Sequence, residues 1–160
     1  MKPWAIILVA SAALAAAKPT VYLIRHGEKP ADGGDGLSEK GKQRAQCLRQ
    51  VFGAGSPYNI GYIMVQTPKA DLGIKIDLSC DRDDTECVQD VVDGYKGNGN
   101  ILICGLGWLG AQDAQQHRRG AGRQKVDNYP DGNFNLIWTQ PAPYTKIVKV
   151  SSEACPGLDN

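Results

Sequence analysis

The sequence predicts an α/β domain in which a mostly parallel central sheet is flanked by helices. Residues 21–24 are apolar on both faces, as in an inner strand of a parallel sheet. Strand-like runs then alternate with segments of helical periodicity, which favours a layered α/β arrangement. With 160 residues, 42% of them hydrophobic, the chain can form one core and is too short for two ordinary domains.

The first half of the chain reads as strand, loop, helix and strand. After the strand at residues 21–24, a turn-rich loop with the sequence PADGGDG leads to Ser38, a suitable N-cap. The helix that follows ends at Gly53. Its apolar residues form one stripe, consisting of Ala45, Leu48, Val51 and Phe52. Residues 61–67, GYIMVQT, form the next predicted strand.

The second half contains one helix and three further strands. Residues 85–95, TECVQDVVDGY, are apolar at positions i, i+3, i+4 and i+7, which predicts an amphipathic helix. These apolar positions are Val88, Val91, Val92 and Tyr95. Residues 100–104, 134–139 and 146–152 are rich in β-branched and aromatic residues and predict short strands.

Residues 1–17 have the pattern of a secretory signal peptide. An early Lys2 precedes an apolar run, and small residues stand directly before Lys18. The run is too short and too rich in alanine for a stable membrane anchor, although an uncleaved signal anchor is the alternative. Without Lys2 the chain has 17 basic and 17 acidic residues, so nothing in its charge indicates nucleic acid or an acidic membrane as partner. We expect a secreted protein, with residues 18–160 as its single domain.

The five cysteines fit a secreted chain with two disulfides and one free thiol. Cys80 and Cys87 enclose a short polar loop and are the preferred pair. How Cys47, Cys104 and Cys155 divide between a second disulfide and a thiol stays open. The cysteines form no CxxC pair and do not stand beside histidines, so we expect no metal site and no other cofactor.

The first strand ends in Arg25-His26-Gly27-Glu28, which carries the clearest chemistry in the chain. Groups at the carboxyl end of a parallel strand point into the crevice where ligands bind. A neutral imidazole there can attack a phosphoryl group, and an Arg supplies a bidentate partner for the phosphate oxygens. A Gly lets the ligand approach the backbone. The pattern indicates a site for a small phosphorylated molecule or inorganic phosphate.

At these residues the chain resembles the histidine phosphatase superfamily, also called phosphoglycerate mutase-like. The signature of that family is Arg-His-Gly at the end of the first strand, often followed by Glu, and Leu37-Ser38 with Gly41 match its next positions. The resemblance implies a phosphoglycerate mutase-like layered sandwich, with His26 as phosphate acceptor and Arg25 as phosphate ligand. Glu28 is a candidate proton donor, and a salt bridge is the alternative role for its carboxylate.

Two parts of the family's pocket are absent from the sequence. A second Arg is expected after the second strand, but none stands between Arg49 and Arg82, and Lys69 is the available cation. Lys lacks the planar fork of Arg and is a poor substitute. A second His is expected after the strand at 100–104, whereas the remaining histidine, His117, lies thirteen positions beyond that strand. A solvated side chain is the simplest interpretation of His117.

Residues 105–124 fit neither helix nor strand periodicity, and we interpret them as aberrant. With suitable synonymous codons, residues 109–122 read one base later spell WEHRTLNNIVEALG, which supplies both a His and an amphipathic helix. A splice-site or reading-frame error is therefore our hypothesis, with a deletion after Lys69 as a second instance. The complete form would hydrolyse a phosphomonoester through a phosphohistidine. The chain as it stands would be weakly active, or a phosphate-binding relative without turnover, or a secreted structural or effector domain.

Overall fold

The computed structural model describes residues 17–65, 76–81, 84–105, 129–130 and 132–159. In this part of the chain there are five strands and two helices. They are β1 (Val21–Ile24), α1 (Glu39–Val51), β2 (Ile60–Val65), α2 (Thr85–Gly94), β3 (Asn100–Cys104), β4 (Leu136–Gln140) and β5 (Lys149–Ser152). Each corresponds to an element predicted from the sequence, with ends that differ by up to three residues. The α/β class is confirmed.

The five strands form one mixed sheet in the order β2-β3-β1-β4-β5. β2, β3 and β1 are parallel, β4 is antiparallel to β1, and β5 is antiparallel to β4. Four of the five described strands therefore run in the same direction. β1 lies at the centre, where Val21 and Leu23 are fully buried, as its apolar sequence predicts.

The two helices cover opposite faces of the sheet. Successive residues of β1, such as Leu23 and Ile24, point to different faces and belong to different apolar clusters. One cluster includes Val92 of α2 with its neighbours on that helix, so the predicted apolar stripe of α2 is confirmed. The other cluster includes Leu48 and Val51 of α1. Each face of the sheet thus has one helix to exclude water from it.

The buried face of α1 differs from the predicted stripe. Ser38 is the N-cap as predicted, and its hydroxyl accepts a hydrogen bond from the Gly41 amide at 3.1 Å. Ala45 is exposed, whereas Gly41 and Arg44 are buried. The prediction was wrong at Ala45 because an apolar pattern takes every Arg of a helix to be exposed. Arg44 is instead buried with carboxylate partners.

Two glycines allow α1 to approach the segment that follows β1. A Cβ on Gly41 would lie 2.4 Å from the carbonyl oxygen of Glu28, which no side chain can tolerate. A Cβ on Gly27 would lie 3.1 Å from the carbonyl oxygen of Gly41. The Arg-His-Gly segment is therefore packed directly against the first turn of α1.

The described chain contains one short-range and one long-range disulfide. Cys80 and Cys87 are bonded as predicted, across a sequence separation of 7. Cys47 of α1 is bonded to Cys155 of the C-terminal segment, across a separation of 108, and Cys104 is the free thiol. The second pairing could not be chosen from the sequence, because three cysteines remained equivalent there. Two disulfides are compatible with a secreted protein.

Several predictions fall outside the described residues. The predicted signal peptide covers residues 1–17, and residues 1–16 lie outside the described part of the chain. Lys69, His117 and all but the first residue of the segment 105–124 also lie outside it. Within the ranges described, no helix has the length and apolarity needed to cross a lipid bilayer.

We expect the Cys47–Cys155 disulfide to stabilise the fold more than the Cys80–Cys87 disulfide. Chain-entropy estimates are about 4.7 kcal/mol for a loop near 100 residues and about 2.5 kcal/mol for a loop near 8 residues. Replacing each pair by alanines and measuring urea unfolding should therefore give losses that differ by about 2 kcal/mol. Equal losses would contradict this expectation.

Candidate functional site

The candidate site lies at the edge of the sheet where β1, β2 and β3 end. Because β4 runs in the opposite direction, it begins at this edge, and β5 ends there. Leu23 is opposite Trp138 in the β1–β4 ladder, so the residues after β1 lie beside the residues before β4. This topology brings Arg25 and His26 next to residues 133–135, which are more than 100 positions away in sequence.

One ring nitrogen of His26 forms a hydrogen bond with the backbone, and the other can act as a nucleophile. Its Nδ1 lies 2.8 Å from the carbonyl oxygen of Gly27. A carbonyl oxygen can only accept, so Nδ1 carries the proton and donates it. In the neutral ring, Nε2 then holds the free electron pair. This is the tautomer that a nucleophilic histidine requires.

Arg25 lies beside His26 and is held by the residues before β4. Its Nη1 donates to the carbonyl oxygen of Asn133 at 3.4 Å, and its Cζ lies 4.6 Å from the centre of the Phe134 ring. The Tyr129 ring is 6.0 Å from the same carbon. The Arg25 Nε is buried and has no hydrogen-bond partner among the described residues. A buried donor without a partner is uncommon, and this one is unsatisfied within the described part of the chain.

Glu28 forms an ion pair with the buried Arg44 of α1. Arg44 Nη2 donates to Glu28 Oε1 at 2.8 Å, and Arg44 Nε donates to both carboxylate oxygens. Lys40 adds a weaker contact at 3.8 Å. Burial alone would raise the pKa of Glu28, but the hydrogen bonds and charge of Arg44 outweigh it and lower that pKa. Glu28 is therefore ionised at neutral pH.

Arg44 has a second carboxylate partner, Glu153, which directly follows β5. Arg44 Nη1 donates to Glu153 Oε2 at 3.0 Å, while Glu153 Oε1 is buried without a hydrogen-bond partner in the described part of the chain. Burial raises the pKa of Glu153 to about 7, despite the opposing hydrogen bond from Arg44. Arg44 Nη2 also donates to the carbonyl oxygen of Leu158 at 2.9 Å.

The segment before β4 is itself fixed on both sides. The Tyr129 hydroxyl donates to the carbonyl oxygen of Leu136 at 3.1 Å and accepts from the Leu136 amide at 3.0 Å. The Glu153 amide donates to the carbonyl oxygen of Asn135 at 2.7 Å. Burial raises the pKa of Tyr129 to about 12, so its hydroxyl keeps its proton. These contacts give Asn133 and Phe134 a fixed backbone from which to support Arg25.

Cys104 ends β3 at the same edge. Desolvation is the larger cause that raises the pKa of its thiol to about 11, and the nearby charge of Glu153 adds to it. The thiol is therefore protonated at neutral pH and is a poor nucleophile. The backbone continues from Cys104 to Gly105, whose amide donates to the carbonyl oxygen of Ile24 at 3.1 Å. The residue after β3 is thus adjacent to the residue before Arg25.

The structure brings together four of the residues predicted for the site. Arg25, His26, Gly27 and Glu28 follow β1 as one segment, while Lys69 lies outside the described residues. Glu28 has the salt bridge that was the alternative to its proposed role as proton donor. Its lowered pKa does not favour that role.

Sequence reasoning missed Arg44, Phe134 and Glu153. Arg44 stood on the polar side of a helical pattern, and Phe134 was read only as part of a strand. For Glu153 the nearest indication was its position two residues before Cys155, since residues beside a disulfide are often buried. No pattern in the sequence linked these three residues to the motif after β1.

Comparisons with protein-family models, with curated proteins and with solved structures find no match for this chain. Within the described residues, no group of three or more His, Cys, Asp or Glu side chains is arranged to hold a metal ion. The site therefore has to be interpreted from its own geometry.

Replacing Arg44 should destabilise the protein strongly. Arg44→Met leaves Glu28 and Glu153 without their main partner, and breaking a buried ion pair typically costs about 3–5 kcal/mol. Arg49→Met is the matched control, because Arg49 is exposed on the same helix, and such a change is usually within about 0.5 kcal/mol. Urea unfolding of both variants measures the difference, and equal losses would contradict the importance of the buried pair.

Glu153 should make the protein less stable as the pH rises toward neutrality. Its folded pKa of about 7 is above its ordinary value of 4.5, so between these values the folded state holds more protons than the unfolded state. Stability from this group is therefore present at low pH and is lost as the pH rises through that window. Glu28 acts oppositely, since its lowered pKa gives stability that is lost in acid.

The test compares Glu153→Gln with the wild type by urea unfolding from about pH 5 to about pH 8. The two proteins differ only at residue 153, so the difference between the two curves isolates Glu153. We expect the variant to lose less stability than the wild type across this range. Glu39→Gln is the control, because Glu39 is exposed. A wild-type curve parallel to that of Glu153→Gln would refute the expectation.

Proposed function

We propose that the segment Arg25-His26-Gly27 binds a phosphate monoester and accepts its phosphoryl group on His26, in the manner of a histidine phosphatase. The observation that carries this proposal is the hydrogen bond from His26 Nδ1 to Gly27, which leaves Nε2 unprotonated. The adjacent Arg25 guanidinium is held in place by Asn133 and Phe134, and a planar guanidinium suits phosphate oxygens. A nucleophile and an anion-binding group thus stand side by side at a strand end.

In the proposed reaction the free electron pair of His26 Nε2 attacks phosphorus. The bond between phosphorus and the ester oxygen breaks, and the leaving alcohol takes that electron pair together with a proton from solvent water. Arg25 would hold the phosphoryl oxygens through its planar guanidinium. Water then attacks the phosphohistidine, the bond between nitrogen and phosphorus breaks, and inorganic phosphate leaves with His26 restored to its neutral form. No metal or organic cofactor is required for this sequence of steps.

We expect slow turnover, because the groups that support transfer are incomplete. The leaving alcohol needs a proton, and Glu28 is ionised and bound to Arg44. The sequence also lacks the second His and second Arg at the positions where the family resemblance calls for them. Each missing donor typically costs about 100- to 1000-fold in rate. Phosphate binding without turnover is therefore the second candidate function, and the Glu28–Arg44 pair favours it.

We also propose that the protein is extracellular and has a phosphoglycerate mutase-like fold. The two disulfides support an oxidising location, and the signal-peptide pattern of residues 1–17 supports secretion. The mixed sheet with one helix on each face is compatible with a phosphoglycerate mutase-like layered sandwich. A small phosphorylated molecule outside the cell, or inorganic phosphate itself, is the proposed ligand.

Phosphate and vanadate should raise the melting temperature of the wild type, because a ligand that binds only the folded state stabilises it. At a ligand concentration about 100 times Kd, the expected gain is about 2.7 kcal/mol. Arg25→Ala and His26→Ala should weaken this effect. His117→Ala is the control, since His117 is the other histidine of the chain. Chloride at matched ionic strength separates binding from a general salt effect.

A phosphoenzyme trap distinguishes the two candidate functions. After incubation with a ³²P-labelled phosphomonoester and alkaline quenching, an acid-labile label that His26→Ala loses and His117→Ala retains would support transfer to His26. Stabilisation by vanadate without any label would support binding alone. A wild type that neither phosphate nor vanadate stabilises would refute the proposal and favour a secreted structural or effector domain.

A further inference from the structure

Among the described residues, the segment that precedes β4 lies against Arg25 and His26. Phe134 of this segment is half-buried and faces both side chains. Its ring centre lies 4.6 Å from the Arg25 Cζ and 6.0 Å from the centre of the His26 ring. The guanidinium thus lies within the distance at which a cation and an aromatic face attract each other.

We propose that Phe134 is a positioning residue that orients the Arg25 guanidinium and the His26 ring for a phosphate ligand, which rests on the proposed function. An aromatic ring beside the guanidinium occupies its face and leaves its N–H groups, which lie in its plane, available for hydrogen bonds. One of those groups, Nη1, donates to the carbonyl oxygen of Asn133. With the guanidinium held by Phe134 and by Asn133, its orientation is set before a ligand binds.

The backbone that carries Phe134 is suited to this role because it is held in place. Leu136 is bonded to the Tyr129 hydroxyl through both its amide and its carbonyl oxygen. Asn135 accepts a hydrogen bond from the Glu153 amide. A ring on such a segment restricts the rotamers of Arg25 before a ligand arrives, and this pre-organisation increases affinity.

The test measures vanadate and phosphate affinity of Phe134→Leu, which keeps an apolar side chain and removes the ring. A cation–π contact of ordinary strength corresponds to a loss of about 2- to 30-fold in affinity. Phe52→Leu is the matched control, because Phe52 is the other Phe of the chain and packs between α1 and the opposite part of the sheet. It should lower stability and leave affinity unchanged. Phe134→Tyr keeps the ring and should restore affinity.

A double-mutant cycle separates positioning from general destabilisation. If Phe134 acts through Arg25, Phe134→Leu should weaken binding in the wild-type background and have little further effect when Arg25 is already Ala. Independent, additive losses would overturn the inference. Should Phe134→Leu fail to fold, Phe134→Met takes its place in the same cycle.

The outcomes distinguish this inference from the proposed function. A wild type that binds neither vanadate nor phosphate refutes both. A wild type that binds, with Phe134→Leu binding equally well, refutes only the role of Phe134 and leaves the proposed function in place. Weakened binding in Phe134→Leu with recovery in Phe134→Tyr supports both.

Discussion

The buried guanidinium of Arg44 is the interaction on which the described structure most depends. Only 1% of Arg44 is exposed, and its N–H groups donate to Glu28, to Glu153 and to the carbonyl oxygen of Leu158. These partners are 16, 109 and 114 positions away in sequence. A buried charge that lost one of them would remain uncompensated, so the three segments are bound to one another through this side chain. The Cys47–Cys155 disulfide, one helical turn further along α1, reinforces the same connection.

Glu153 supports the candidate site through both its carboxylate and its backbone amide. Its carboxylate accepts from Arg44, which holds Glu28 at the end of the motif. Its amide donates to Asn135, beside the ring of Phe134 that contacts Arg25 at the beginning of the motif. A single residue after β5 thus contributes to the placement of both ends of the segment after β1. This explains why a buried carboxyl with a pKa raised to about 7 is kept at this position.

Local patterns predicted the parts of the fold that depend on neighbouring residues. The apolar sequence of β1, the cap at Ser38 and the short Cys80–Cys87 loop all concern residues close together in the chain. On α1 the prediction holds for Leu48, Val51 and Phe52 and is wrong at Ala45. It missed Arg44, whose carboxylate partners are distant in sequence. The contact of Phe134 with Arg25 was missed for the same reason, since it requires β4 to be antiparallel to β1.

The arrangement of Glu28 links the rigidity of the site to its chemistry. A carboxylate that accepts three hydrogen bonds from Arg44 is held ionised, and that pairing anchors the segment after β1 to α1. A proton donor needs the opposite, namely a carboxyl group that is protonated until the leaving group requires its proton. Glu28 therefore cannot fix the segment and supply the proton in the same state. Glu153, whose pKa is raised, is only 2% exposed and is too enclosed to contact a substrate.

Under the proposed function, binding and turnover would consequently depend on different residues in this chain. In the proposed function, the Arg25 guanidinium would bind the phosphate and the His26 Nε2 would attack it, and the contacts of both side chains fit these roles. Transfer also needs groups that stabilise charge as the bond to the leaving oxygen breaks, and interactions of that kind act only in the transition state. Substitutions at the site should therefore remove turnover before they remove phosphate binding. We expect turnover to be lost when the acid or a second cation is absent, and affinity to persist as long as the residues before β4 hold Arg25 in place.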